Sequence, residues 1–413
     1  MNNSIVDHQD LYRLPWNLAD NPISWLEPTS ACNLACDGCY RENVKESHKP
    51  LDAVREEIGA FIRLRNTDGI SIAGGDPLLH PEILSIVSDI SGRGRKPIIN
   101  TNGLALTKEL LRDLKKAGAE GFTFHIDSKQ GRPKWKEKNE VELNDLRLHY
   151  AEMLADVGGL SCTFNSTVYE DTLHYTPDLV QWAADHIDIV SGMVFILYRS
   201  AVPQLPFDWY AGGKQIDMNA VVYSETHERK VDMKSTDVVA EIRKRFPDFT
   251  PSAYLNGTQK PDSFKWLLSG RIGSKKKIYG YVGRKFMEFN QTAYHLLKGR
   301  YLAYTSPRLL GLGRTMMMLA PIDKGVRRIA GRYITTSLKN PLRFFGGVHY
   351  QSVMIIQPVD FMESGEQNMC DGCPDMTLHN GELVWSCRME ELKQFGCWVR
   401  TVPKPKMVTI DTM

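Results

Sequence analysis

Seven of the eight cysteines in this 413-residue chain fall into two groups far apart in sequence. Cys32, Cys36 and Cys39 form a C-x3-C-x2-C loop. Cys370, Cys373, Cys387 and Cys397 follow a C-x2-C-x13-C-x9-C spacing, and Cys162 stands alone. Three neighbouring thiolates can hold three irons of a [4Fe–4S] cube, leaving the fourth iron open to bind and reduce a small molecule. A structural zinc site would want a fourth ligand near by, and the nearest histidine, His48, is nine residues past Cys39. The second group offers four soft ligands, suited to an iron–sulfur cluster or to zinc, with a tight glycine turn between Cys370 and Cys373. If all four bind one cluster, electron transfer or architecture is favoured. If only three bind, substrate ligation opens.

The elements that must position these thiols are legible from about residue 20 to 200. Apolar runs at Ile23–Thr29, Gly69–Ala73, Lys96–Asn102, Gly121–Asp127, Leu160–Tyr169 and Ile187–Tyr198 predict six strands. Helical patterns at Leu51–Arg65, Pro81–Ile90, Thr107–Lys116, Asn144–Leu154 and Thr176–His186 lie between them. Six strand–helix repeats imply parallel βαβ units, with polar residues gathered at the strands' C-terminal ends. A further helix is expected at Ser235–Arg245.

The first cysteine loop resembles the signature of the radical S-adenosylmethionine (radical SAM) enzymes, and the resemblance covers roughly residues 20–200. It implies a partial (β/α)6 barrel. It also implies a [4Fe–4S] cluster whose open iron chelates SAM, reductive cleavage to a 5′-deoxyadenosyl radical that abstracts hydrogen from substrate, and a reductant such as flavodoxin or ferredoxin. Ala73-Gly74-Gly75-Asp76-Pro77 is similar to the family's Gly-Gly-Glu-Pro motif, with Asp76 expected to accept from the SAM ammonium. By the same resemblance Asn102 and Ser128 are ribose or carboxylate contacts, and Asn100 is a second candidate. Asn165 is expected to contact SAM from the polar face it shares with Thr163 and Thr167; Cys162, on the other face, reads as a buried small hydrophobe. Gly38 stands where many members carry an aromatic, and Tyr40 follows the last cysteine as the loop's own cofactor-binding candidate. Tyr198 and Arg199 close the sixth strand within reach of the site. The second cysteine group resembles the auxiliary-cluster extensions of SPASM or twitch type, implying a second [4Fe–4S] cluster.

The chain thus divides into an N-terminal extension (1–19), the barrel (20–200), a linker and basic Met-rich region (201–350) and an auxiliary Fe–S region (351–413). With 51 basic and 49 acidic side chains, overall charge gives no drive toward nucleic acid. The charge is local: Lys265 to Arg343 holds 17 Lys or Arg against Glu288 and Asp323. Interleaved cationic and apolar residues suit an anionic lipid surface or an acidic peptide; RNA ranks last, for want of a recognised motif. No signal, spanning or lipidation pattern is evident, so a cytoplasmic protein, peripheral at most to a membrane, is expected. The leading expectation is a radical SAM enzyme acting on an anionic, partly apolar substrate such as a lipid or lipid-linked molecule. A peptide-modifying maturase comes second, and a non-catalytic Fe–S or zinc scaffold third.

Overall fold

The computed structural model describes residues 5–198, 207–222 and 233–404. Its frame is a mixed sheet with a parallel run at its centre. The six expected strands are β1 (Ile23–Thr29), β2 (Gly69–Gly74), β3 (Lys96–Thr101), β4 (Gly121–His125), β5 (Ser161–Val168) and β6 (Gly192–Leu197). They pair in parallel and in sequence order. The helices between them are α1 (Leu51–Leu64), α2 (Ile83–Gly92), α3 (Lys108–Lys116), α4 (Asn144–Val157) and α5 (Thr176–Asp185), and α6 (Ser235–Arg245) comes after them. Each turns a buried stripe to the sheet, as Val54, Ile58 and Phe61 do on α1. Cys162 is buried with Phe122, Phe164 and Trp182 in the layer between sheet and helices, as the alternation on β5 predicts.

The sheet does not stop at β6. Strands β7 (Ala253–Leu255), β8 (Trp266–Ser274), β9 (Lys277–Tyr281) and β10 (His349–Ile356) extend it. β10 pairs in parallel with β6, β8 runs antiparallel to β10, and β7 and β9 flank β8. The 350/351 division falls inside a sheet strand. The basic window is also not one surface unit, because Lys265 and Arg271 are buried at its start. The Arg271 guanidinium is spent on Gln351 Oε1 and the Val180 carbonyl. A cation whose hydrogen bonds are met inside the sheet is indistinguishable, in a charge count, from one facing water.

The rest of the window is a helical layer built on α7 (Arg284–Lys298) and α8 (Lys324–Lys339). The buried Asp323 carboxylate caps α8 at the Val326 N–H and also accepts from Gly283 and Phe286, joining the two helices. This layer attaches to the N-terminal ends of the parallel strands. Tyr294 donates to Asp68, Lys96 Nζ donates to the Tyr304 carbonyl, and Tyr304 Oη lies 2.5 Å from Ser71 Oγ. Gly313 bonds Val348 just before β10.

Candidate metal and cofactor site

The Cys32 loop leaves the C-terminal end of β1 and is docked by backbone onto the end of β2. Gly75 N–H donates to Thr29 and Asp76 N–H to Ala31, both at 2.8 Å. A Cβ on Gly75 would stand 2.2 Å from the Ala31 carbonyl oxygen, and one on Gly74 (φ +107°) as close to that of Thr29. The two glycines are therefore where the cysteine loop seats. Asn43 clamps the loop from its far side, accepting from Cys32 N–H and donating to the Cys32 and Leu34 carbonyls.

The three thiols share one electrostatic neighbourhood. Burial pushes the Cys36 thiol up, and Asp127, Cys39 and Cys32 push it further. Burial likewise raises Cys32 and Cys39. Such groups release protons when they bind metal. Among the described residues no three His, Cys, Asp or Glu side chains close round a single-ion site.

Asp76 is held in place by protein donors. Its carboxylate accepts from the Thr101 hydroxyl on both oxygens, from Leu78 N–H at 3.0 Å and from Asn102 N–H at 2.9 Å. Both oxygens are thus spent on protein donors, which fix the end of β3. Asn102 lies at the site: its amide donates to Asn33 and approaches Cys32 Sγ at 3.7 Å. Asn100, half-buried, donates weakly to the Ile72 carbonyl at 3.5 Å. Ser128 is held through its N–H by Glu140. Asn165 Oδ1 is buried with no hydrogen-bond partner among the described residues, an acceptor awaiting a donor on the interior face of β5. The glycine seat, the three thiols and this orphaned acceptor fit a cluster-bound SAM.

Tyr40 is partly buried and packs against the cluster of Trp209, Met218, Val221 and Val399. The space at Gly38 is taken instead by Tyr169 and Tyr198, from the ends of β5 and β6. Their rings lie 4.7 Å apart, and a Cβ on Gly38 would meet Tyr169 Oη at 2.5 Å. Arg199 lies outside the described residues.

Several residues escaped the sequence reading. His125 Nε2 lies within 3.0 Å of Asp127 and of Thr167 on the barrel's inner face. Burial pushes the Asp127 carboxyl up, but His125, the Lys129 N–H and Thr167 together outweigh it and hold it low. Arg132, buried, donates to the Asn102 and His125 carbonyls and ties the ends of β3 and β4. Arg41 grips Glu27 bidentately at 2.6 and 2.9 Å, and its Nη2 also reaches the Ser386 carbonyl and hydroxyl. Arg41 stands two residues after Cys39, and Ser386 directly before Cys387. One buried ion pair therefore links the two cysteine groups. Its position beside Cys39 was visible in the sequence; its partner 345 residues away was not.

The second group lies along the flank of β1. Burial pulls Arg65 down to about 10; it donates to the Cys373 and Pro374 carbonyls, and Asn21 donates to that of Gly372. Gly372 (φ +66°) turns where a Cβ would strike the Trp16 carbonyl oxygen at 2.2 Å. A hairpin of β11 (Met376–His379) and β12 (Glu382–Trp385) carries the chain to Cys387. Cys397 is drawn back by Arg388, which bonds Glu391 and the Val399 carbonyl. Cys370 hydrogen-bonds to and raises Cys373, with burial and Cys387 adding to the effect. Cys370, Cys373, Trp385, Gly396 and Trp398 line a cavity of about 540 Å³.

Residues 26–183 match the family model of the radical SAM superfamily. Those residues form a radical SAM superfamily domain. It is 36% identical over 110 residues to a GTP 3′,8-cyclase of Mannheimia succiniciproducens, covering 25% of this chain and 32% of the cyclase. It is 24% identical over 217 residues to an AdoMet-dependent heme synthase of Nitratidesulfovibrio vulgaris, covering 52% and 56%. The chain thus spans between a third and just over half of the length of these curated relatives. Among solved structures, Streptococcus suis SuiB bound to its precursor peptide SuiA aligns with TM-score 0.36 at 16% identity, over 44% of this chain and 40% of that one. The radical SAM family implies a [4Fe–4S] cluster and SAM as cofactors. No helix among the described residues is long and apolar enough to cross a membrane.

Proposed function

We propose that this chain is a radical SAM enzyme that cleaves SAM reductively at a cluster held by Cys32, Cys36 and Cys39 and abstracts hydrogen from an anionic, partly apolar substrate. The observation that carries the reading is the docking of the three-thiol loop on Gly74 and Gly75 at the C-terminal rim of six parallel strands. The bound cluster supplies the electron; the chain supplies orientation. Asn102 approaches Cys32, Asn165 offers an unmet acceptor, and Tyr169 with Tyr198 walls the loop at Gly38. Cys370, Cys373, Cys387 and Cys397 hold an auxiliary [4Fe–4S] cluster in this reading, supported by the cavity that Cys370 and Cys373 line with Trp385, Gly396 and Trp398. A flavodoxin or ferredoxin serves as reductant.

A lipid-linked molecule and a peptide both fit that substrate class. The helical layer of the basic window attaches at the opposite end of the strands from the cysteine loop, so the lipid form draws no support from a basic wall at the mouth. Comparison of lipid and peptide extracts from cells with and without the gene discriminates between the two. Anaerobic reconstitution tests the enzyme itself, with about eight irons per chain expected. Replacing Cys32, Cys36 and Cys39 by Ala should halve the iron and abolish SAM cleavage under dithionite. Replacing Cys370 and Cys373 should lower the iron but leave uncoupled cleavage. Four irons and one zinc would sink the auxiliary cluster, and an intact chain that loads iron yet leaves SAM whole would leave only a scaffold.

A further inference from the structure

The helical layer between α7 and β10 ends in a surface that no other described residue covers. Leu338, Leu342, Phe345 and Met318 expose 70%, 79%, 86% and 76% of their surface. Ile334 and Leu338, four apart on α8, lie off the stripe of Val326, Ile329 and Tyr333 that packs inward. The surrounding segments are held together: Arg314 donates to the Gly346 carbonyl, Arg327 to those of Ala320 and Pro321, and the Phe344 ring meets Tyr333 edge-on. The apolar side chains therefore belong to one continuous structure.

Charge points to the occupant. Residues 289–347 carry ten Lys or Arg and a single acid, Asp323. Asp323 is buried as a helix cap, and the one acid of α7, Glu288, is paired with Lys285, so the exposed side chains of residues 289–347 carry no negative charge. Arg308, Arg328 and Lys339 are exposed in the same layer. A second copy of the same face would meet like charge. Exposed apolar tips set among cations match an anionic bilayer, with the tips in the acyl boundary and the cations at the phosphates. Since no described helix can span, the contact would lie in the plane of the interface.

We propose that this face docks the enzyme on anionic membrane, seated by Leu338, Leu342 and Phe345 and steered by the neighbouring cations. The attachments to Asp68, Lys96 and Val348 put it at the N-terminal ends of the parallel strands, so docking leaves the cysteine loop facing away from the bilayer. The face thus locates the enzyme and does not feed its site. This goes beyond the proposed chemistry and does not depend on it.

The test is co-sedimentation of the full chain with phosphatidylcholine vesicles, with and without phosphatidylglycerol. Binding should require phosphatidylglycerol and weaken as salt is raised. L338S/L342S/F345S should reduce partitioning on the order of a hundredfold. R308S/R328S/K339S should reduce it and flatten the salt dependence. All six side chains are at the surface, so iron loading and SAM cleavage should stay at parental levels, and melting curves check the fold. Absence of binding at low salt would overturn the proposal, as would equal binding to neutral vesicles or indifference to both triple changes. Self-association without vesicles, lost in L338S/L342S/F345S, would assign the face to a second copy instead. Salt-sensitive capture by an acidic peptide but not by vesicles would assign it to a protein partner.

Discussion

Asp76 accepts three protein donors in a fully buried position, so its substitution should be felt before SAM arrives. Asp76→Ala leaves the Leu78 and Asn102 N–H groups and the Thr101 hydroxyl unmet, at a cost of about 1–3 kcal/mol in the ligand-free chain. Asp76→Glu, although nearer the common family residue, forces an extra methylene into a filled site and should cost about as much. Denaturant unfolding of the two variants checks this, and a Glu variant as stable as the parent would refute it. Glu27 is the second residue whose chemistry is internal. Burial alone would push its carboxyl up, but the Arg41 guanidinium outweighs burial and holds it below the usual range. Its stabilisation is complete above an ordinary carboxyl pKa of about 4.3 and drains away as pH falls through the lowered folded value. Glu27→Gln strands the buried Arg41 and should cost about 3–5 kcal/mol at neutral pH. The gap to the parent should narrow as pH falls through that lowered folded value and the parent's own Glu27 becomes protonated. Urea titrations across that range measure it, and a gap constant with pH would exclude this pair as its source.

At the scale of elements, the end of β2 is where one strand builds another's loop. Gly75→Ala sets a Cβ against backbone that cannot rotate away, the Ala31 carbonyl at 2.2 Å. The expected result is a displaced Cys32 loop and loss of about half the reconstituted iron, the share of one of two cubes. Iron analysis with visible absorbance reads this directly, and a variant that loads both sites normally would show the contact to be yielding. The aromatic that many relatives place inside the cysteine loop has no room here, because Tyr169 occupies the space from the end of β5. The same wall is built from a different element.

At the scale of the molecule, the two cysteine groups share supports although more than 300 residues separate them. Arg65, at the end of α1, holds the Cys373 turn, while Arg41 and Glu27 hold Ser386. Arg65→Met should leave the Cys373 and Pro374 carbonyls buried and unmet. We expect iron to fall to about half with SAM cleavage retained. Loss of cleavage along with the iron would mean that the supports are too coupled to separate.

The chemistry and the six-strand frame were legible in the residues alone. Thiol spacing within eight residues, glycines at a strand end and the alternation on β5 are local patterns, and local patterns survive in a linear reading. Three matters were settled only by tertiary structure. Asp76 faces protein donors because β2 and β3 end side by side, a fact of sheet order. Tyr40 packs against a cluster with Trp209 and Val399, residues brought near by the C-terminal segment. The basic window splits into sheet and surface because Arg271 meets its partners across strands, Gln351 among them, and charge counting cannot see who is paired. What the sequence determined by itself is the set of groups that can act; long-range packing decided which of them face the cavity, because burial and partner choice depend on contacts between residues hundreds of positions apart.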